Sequence, residues 1–285
     1  MVLRLRRVLL CSPQTSGWEN PACVNEWKSL AYRNKPDTAR AVAQHDCLRQ
    51  ELERFGVEIL ELTGCGNYSL DGVYAHDPSF VTDQGVICLR MGKACRRAEP
   101  ARHREFYNSI GVPVLGEIDE PGTAEAGDIV WLDEKTLLVG RGYRTNDSGV
   151  NQIRELLEPS GIEVVASHLP YGRGPSSCLH LMSLLSLVDV RTALVDLAWL
   201  AVPTVELLEA RGFRFIEIET SERGTLACNV LAVGERRLLA FAENPKTNIR
   251  LEEAGFDVKA LPGSEIGING GGGFTCLTRP LLRST

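Results

Sequence analysis

Paired strand-like runs recur along this chain about 50 residues apart, the scale of a repeated supersecondary unit. They read SFVTDQGVICLR (79–90), DIVWLDEKTLLVG (128–140), LHLMSLLSLVDVRTALVD (179–196), NVLAVGERRLLAF (229–241) and FTCLTRPLL (274–282). Between one pair and the next lies the same filling, a polar helical segment followed by an apolar strand. In SGVNQIRELLEPSGIEVVASHL, Ile153, Leu156 and Leu157 make one helical stripe, and Gly161 closes it before the β-branched run 162–165. The repeated unit is therefore ββαβ.

The last pair has no helix after it. Conversely, a strand over 7–11, a helix over about 37–55 and a strand over 57–62 stand at the start without a hairpin of their own. Chain start and chain end can complete one unit between them. This predicts an α/β fold, a five-bladed α/β propeller of five ββαβ units with circular closure, in a single domain over 1–285. Such a ring removes free sheet edges and leaves a central channel where the unit starts converge. A generic doubly wound α/β sheet ranks second, because the five spacings agree.

Equivalent units bring their first residues face to face. Those positions hold Asp77 to Asp83 in HDPSFVTD, Glu125 and Asp128 in EAGD, His180 in CLHLMS, Asn229 in ACNV and Cys276 in GFTC. Singly, each has a plain structural role: Asp before a strand forms turns, and Cys in an apolar strand is inert. Together they supply a thiol, an imidazole and several carboxylates, the groups that cysteine-based acyl or amidine chemistry requires.

Composition narrows the alternatives. A chain of 285 residues, 44% of them apolar, can bury a large core, and a net charge of -6 offers no polyanion-binding surface. Nucleic acid is therefore not an expected partner. No run reaches the roughly 18 apolar residues of a membrane span, and MVLRLRRVLLCSPQTSGW lacks a signal peptide's full apolar region and cleavage site. The nine cysteines, at 11, 23, 47, 65, 88, 95, 178, 228 and 276, form neither a C-x-x-C pair nor a zinc spacing. A reducing, cytoplasmic setting follows.

The five-unit plan, EAGD, CLHLMS and GGGGFTCLT together resemble the guanidino-modifying enzymes of the pentein fold, which include arginine deiminases, amidinotransferases and dimethylarginine dimethylaminohydrolases. DPSFVTD resembles the D-x-x-F-V-x-D substrate segment of the last branch, RMGKACRR its arginine segment and GRGYRTN its R-T-N segment. The resemblance implies Cys276 as nucleophile, His180 as general acid/base and Glu125 as the carboxylate that orients it. It implies Asp77 and Asp83 against the substrate guanidinium, Phe80 in the substrate segment, and Arg96 and Arg144 against the α-carboxylate. Thr82 stands where that branch carries Glu. Met182 stands where deiminases and amidinotransferases carry Asp, which favours the dimethylarginine branch.

A guanidinium stays cationic at neutral pH and is a poor electrophile. Paired aspartates hold it charged and planar, and a thiolate is the nucleophile able to attack it. One imidazole can protonate the departing amine and then take a proton from water. Neither step needs a metal or an organic cofactor. The implied partner is a small guanidino molecule, with a homodimer as the allowed oligomer. The alternatives are hydrolysis of free arginine, amidino transfer, and a non-catalytic binding protein, which retention of Cys276, His180 and Glu125 disfavours. Gly270 to Gly273 are expected to bring a strand bearing Cys276 close against the substrate. The long polar segment 12–37 is expected to form a lid.

Overall fold

The computed structural model describes residues 1–63, 69–175 and 179–284. Strands and helices are numbered along the chain. β1 (Arg4–Leu10) is followed by α1 (Pro21–Asn25), α2 (Thr38–Arg54) and β2 (Glu58–Glu61). Four stretches then repeat one plan of hairpin, helix and strand. The first holds β3 (Ser79–Thr82), β4 (Gly85–Cys88), α3 (Glu99–Ser109) and β5 (Val114–Glu117). The second holds β6 (Ile129–Trp131), β7 (Thr136–Arg141), α4 (Asp147–Leu157) and β8 (Glu163–His168). In the third come β9 (Leu185–Asp189), β10 (Thr192–Val195), α5 (Val202–Ala210) and β11 (Arg214–Glu217). The fourth holds β12 (Leu231–Gly234), β13 (Arg237–Phe241), α6 (Pro245–Glu253) and β14 (Asp257–Leu261), and β15 (Arg279–Ser284) ends the series.

Among the described residues every sheet has three strands. In each repeat the hairpin strands pair antiparallel, and the strand after the helix adds in parallel beside the second of them. The helix is the crossover that a parallel pair needs. The fifth sheet has the order β15-β1-β2. There β15 pairs antiparallel with β1, Arg4 opposite Ser284, while β2 runs parallel to β1. Chain start and chain end thus share one unit, as the spacing of the repeats predicts. Burial explains the composition of the strands. Middle strands such as β4 and β10 are buried throughout and read as continuous apolar runs, whereas the third strands β2 and β11 have no buried residue.

The chain gathers into two compact units. The larger holds Val2–Ala75, Leu184–Leu197 and Gly212–Thr285, and the smaller holds Met1, His76–Ser183 and Ala198–Arg211. In the larger unit, Leu10, Leu48, Phe241 and Leu277 belong to one core, with the Phe241 and Phe274 rings 4.5 Å apart. Helix α2 joins it through Ala41, Leu48 and Leu52, and Asp37 caps it by accepting from the Arg40 N–H at 3.0 Å. The smaller unit has its own core of Phe80, Ile87, Val139, Ile153 and Leu157.

Segment 12–37 is packed into the larger unit. Trp18 is buried and donates its indole N–H to the Leu70 carbonyl at 3.0 Å, and the Arg33 N–H donates to the Asn269 carbonyl at 3.0 Å. Among the described residues, Cys11, Cys23, Cys47, Cys88, Cys95, Cys228 and Cys276 form no disulfide with one another. Cys65 and Cys178 lie outside the described residues. Among the described residues no helix is long and apolar enough to cross a membrane.

Candidate active site

The first-strand rule of the repeats places the reactive side chains. Asp77 precedes β3, Glu125 precedes β6, His180 precedes β9, Asn229 precedes β12 and Cys276 precedes β15. Ends of strands leave the ladder, so side chains there are released from sheet packing and can serve chemistry.

In the smaller unit, Asp77, Glu125 and His180 are buried, and one ligating atom from each lies within 4.8 Å of the others. His180 Nε2 and Glu125 Oε2 are 2.8 Å apart, a bond that fixes the ring. Gly127 makes this approach feasible, since a Cβ there would stand 2.3 Å from His180 Nδ1. The other Glu125 oxygen accepts from the Lys93 N–H at 2.9 Å and faces Arg144 Nη1 at 3.5 Å. Asp77 accepts from the Gly127 N–H at 3.2 Å on one oxygen and from Arg96 Nη1 at 2.6 Å on the other. Arg96 is held in turn by Glu99, which accepts from its Nε at 3.0 Å and its Nη2 at 2.8 Å.

Asp128 joins these pieces from beneath. It accepts from the Thr145 hydroxyl at 2.7 Å and from the Leu181 N–H at 2.9 Å, and Thr145 accepts from the Glu125 N–H at 3.2 Å. One carboxylate thereby ties the backbone next to His180, the backbone of Glu125 and the residue after Arg144.

The charges follow from these contacts. Burial pushes Asp77 up, but the Arg96 guanidinium, with His180 and His76, outweighs it and holds the carboxyl at about 2. Burial likewise opposes ionisation of Glu125, and the hydrogen bond and charge of His180, with Arg144, carry it below the usual carboxylate range. At Asp128 burial wins, and the carboxyl rises to about 6. The trio has the dimensions of a cation site, but the cations against its carboxylates are the two arginine guanidiniums.

In the larger unit Cys276 is buried, with 8% of its surface exposed. The expected strand around it is absent. Residues 274–277 form a tight turn, closed by the Leu277 N–H donating to the Gly273 carbonyl at 3.0 Å, and β15 begins only at Arg279. The glycine run lets the backbone approach neighbouring side chains closely. Gly272 lies against Tyr74, where a Cβ would stand 2.4 Å from the ring, and Gly273 lies against Asn229.

A family model described as N,N dimethylarginine dimethylhydrolase, eukaryotic, matches residues 18–283. The chain belongs to this family. An N(G),N(G)-dimethylarginine dimethylaminohydrolase of Streptomyces coelicolor is 32% identical over 225 residues, covering 79% of this chain and 80% of the relative. An arginine deiminase of Listeria welshimeri is 26% identical over 255 residues, covering 74% of this chain and 61% of the relative. Among solved structures, a mutant of DDAH from Pseudomonas aeruginosa complexed with citrulline has a TM-score of 0.78 at 25% identity, covering 97% of this chain and 99% of that one. The fold class is that of these proteins, the five-unit α/β propeller of the pentein type. This dimethylarginine dimethylhydrolase family member is a guanidino-modifying hydrolase.

Within the family member, three expected residues land elsewhere than the resemblance implies. Asp83 is exposed, in the two-residue turn between β3 and β4, where Thr82 pairs with Gly85. The strand between it and Asp77 rises about 3.3 Å per residue, so the two aspartates cannot share one guanidinium. Phe80 is a core residue, buried and stacked on Trp131 with ring centroids 5.5 Å apart. Arg96 is committed to Asp77 and Glu99, which leaves no fork for an α-carboxylate. Arg144 stands beside Glu125. Thr82 lies at the same hairpin as Asp83 and donates to the Gly85 carbonyl at 2.9 Å, so its departure from the family pattern falls away from the His180 cluster. Met182 is buried on the turn after His180.

The misplacement has a readable cause. The pattern D-x-x-aromatic-x-x-D also fits one step earlier, as Asp71, Tyr74 and Asp77 in DGVYAHD. Asp71 and Tyr74 are both buried, unlike Asp83. Tyrosine in place of phenylalanine hid that register. Glu99 carries no motif of its own and is found only in three dimensions.

Proposed function

We propose that the chain hydrolyses Nω,Nω-dimethylarginine or Nω-monomethylarginine to citrulline and an alkylamine, through a covalent intermediate on Cys276. The buried Glu125–His180 pair, with Asp77 ionised beside it, carries this reading. A guanidinium cation offers planar N–H donors to a carboxylate, as Arg96 Nη1 does to one Asp77 oxygen.

In the proposed reaction Asp77 holds the substrate cation. The Cys276 thiolate forms a bond to the guanidinium carbon, and the bond to the alkylated nitrogen breaks as that nitrogen takes a proton from His180. Water then attacks the same carbon and gives a proton to His180. The carbon–sulfur bond breaks, the thiolate returns, and the second water proton leaves with the amine in solvent. Glu125 keeps the imidazole oriented and stabilises its charged form. Arg144 is assigned the α-carboxylate of the substrate.

Arginine itself is the second reading, favoured by the match to the Listeria deiminase. The experiment is incubation with arginine, monomethylarginine and dimethylarginine separately, scoring citrulline, ornithine, ammonia and alkylamine. Alkylamine with citrulline, lost in Cys276→Ser, supports the proposal. Ammonia from arginine, with the methylated substrates inert, sinks it.

A further inference from the structure

We propose that Asn229 is a further residue of the reaction machinery, one whose side-chain N–H holds the Cys276 sulfur in its ionised form. The inference rests on Cys276 being the nucleophile. Asn229 is buried, and its Nδ2 lies 3.4 Å from Cys276 Sγ. A thiol is a weak acceptor, whereas a thiolate accepts strongly, so a fixed N–H donor favours the thiolate.

The orientation of the amide is determined by its other end. Asn229 Oδ1 accepts from the Thr275 N–H at 3.2 Å and from the Thr275 hydroxyl at 2.5 Å. A flipped amide would set its NH2 against the backbone N–H, so the nitrogen must face sulfur. The backbone of Asn229 is anchored as well, its N–H donating to the Leu226 carbonyl at 2.9 Å. The close approach requires glycine, because a Cβ at position 273 would stand 2.2 Å from Oδ1. The last glycine before the cysteine therefore makes room for the donor.

A purely structural Asn229 would act only through Thr275. Asn229→Asp separates the two roles: it keeps an oxygen for Thr275 and replaces the donor facing sulfur with a second acceptor. Asn229→Ala is the companion variant, in case a buried carboxylate unfolds the turn. The measurement is the pH dependence of iodoacetamide alkylation at Cys276 in the full chain, read by peptide mass, with thermal midpoints checked in parallel. Exposed Cys95 serves as internal reference.

The expected result is a rise of about one pH unit in the Cys276 midpoint of both variants, which is about tenfold less thiolate at neutral pH. Cys95 stays unchanged. kcat/KM falls by a similar factor near pH 7 and recovers as pH rises. A folded Asn229→Asp or Asn229→Ala with the wild-type Cys276 profile overturns the inference while Cys276→Ser remains inactive. Full turnover by Cys276→Ser removes the nucleophile itself, and the inference with it.

Discussion

Asp77 and Asp128 are both buried, yet one is held at about 2 and the other is raised to about 6. The difference is Arg96, whose guanidinium reaches Asp77 and not Asp128. Arg96 thus keeps Asp77, proposed to hold the substrate cation, charged in a place where burial opposes ionisation. Arg96→Lys retains one positive charge but cannot engage Asp77 and Glu99 at once. The expected outcome is an acid limb of the kcat/KM profile displaced upward by about one pH unit, or about tenfold in the ionised fraction at a given acidic pH. A rise in KM uniform across pH, and absent for a substrate amide, would return Arg96 to reading the α-carboxylate. At this scale the sequence pointed to Asp77, Glu125 and His180, which the structure brings together, because each stands at the start of a repeat. Asp83 and Phe80 lie apart from that cluster and Arg96 is paired with Asp77 and Glu99, since a motif match conveys spacing along the chain and nothing about which end of a strand a residue occupies.

Helices and strands were legible wherever periodicity and punctuation agreed. Helix α2 and strand β2 lie inside their expected spans, and β1 begins earlier than expected, at Arg4. The turn around Cys276 was not legible. Its apolar letters imitate a strand, but the Thr278 hydroxyl donates to the Phe274 carbonyl at 2.9 Å and competes with ladder formation. Helix α2 carries a cost of its own. His45 is 2% exposed, its Nε2 has no hydrogen-bond partner among the described residues, and burial with the Arg49 charge lowers it to about 4. The unfolded chain takes up this proton near pH 6.5, while the native helix refuses it until about pH 4. Stability is therefore lost as pH falls between those values and levels off below, by about 3 kcal/mol at most. Urea midpoints measured across this range should show that loss, reduced in His45→Gln. An equal loss in the variant would assign the acid sensitivity to other groups.

On the scale of the whole molecule, one plan is used five times, and its fifth copy is assembled from sequence-distant pieces. β1 is a middle strand, so it needs β15 on one side as well as β2 on the other. Deleting Arg279–Ser284 exposes the antiparallel edge of β1, a template for pairing with other chains. The truncated protein should be recovered as aggregate, with size-exclusion chromatography as the check. A monomeric, cooperatively melting product would mean that the edge is dispensable. The repeat plan was legible because strand pairs keep their spacing, but the grouping of the chain into two compact units was not, since the larger unit draws on three separate stretches of sequence.

The pairing of Arg4 with Ser284 also sets a timetable. Protein synthesis proceeds at about 5–20 residues per second, so the first strand waits roughly 15–55 s on the ribosome before its antiparallel neighbour exists. During that interval a buried middle strand has one flank open. The turn that carries Cys276 is made immediately before the strand that ends this wait, so Cys276 reaches the fold only as the wait closes.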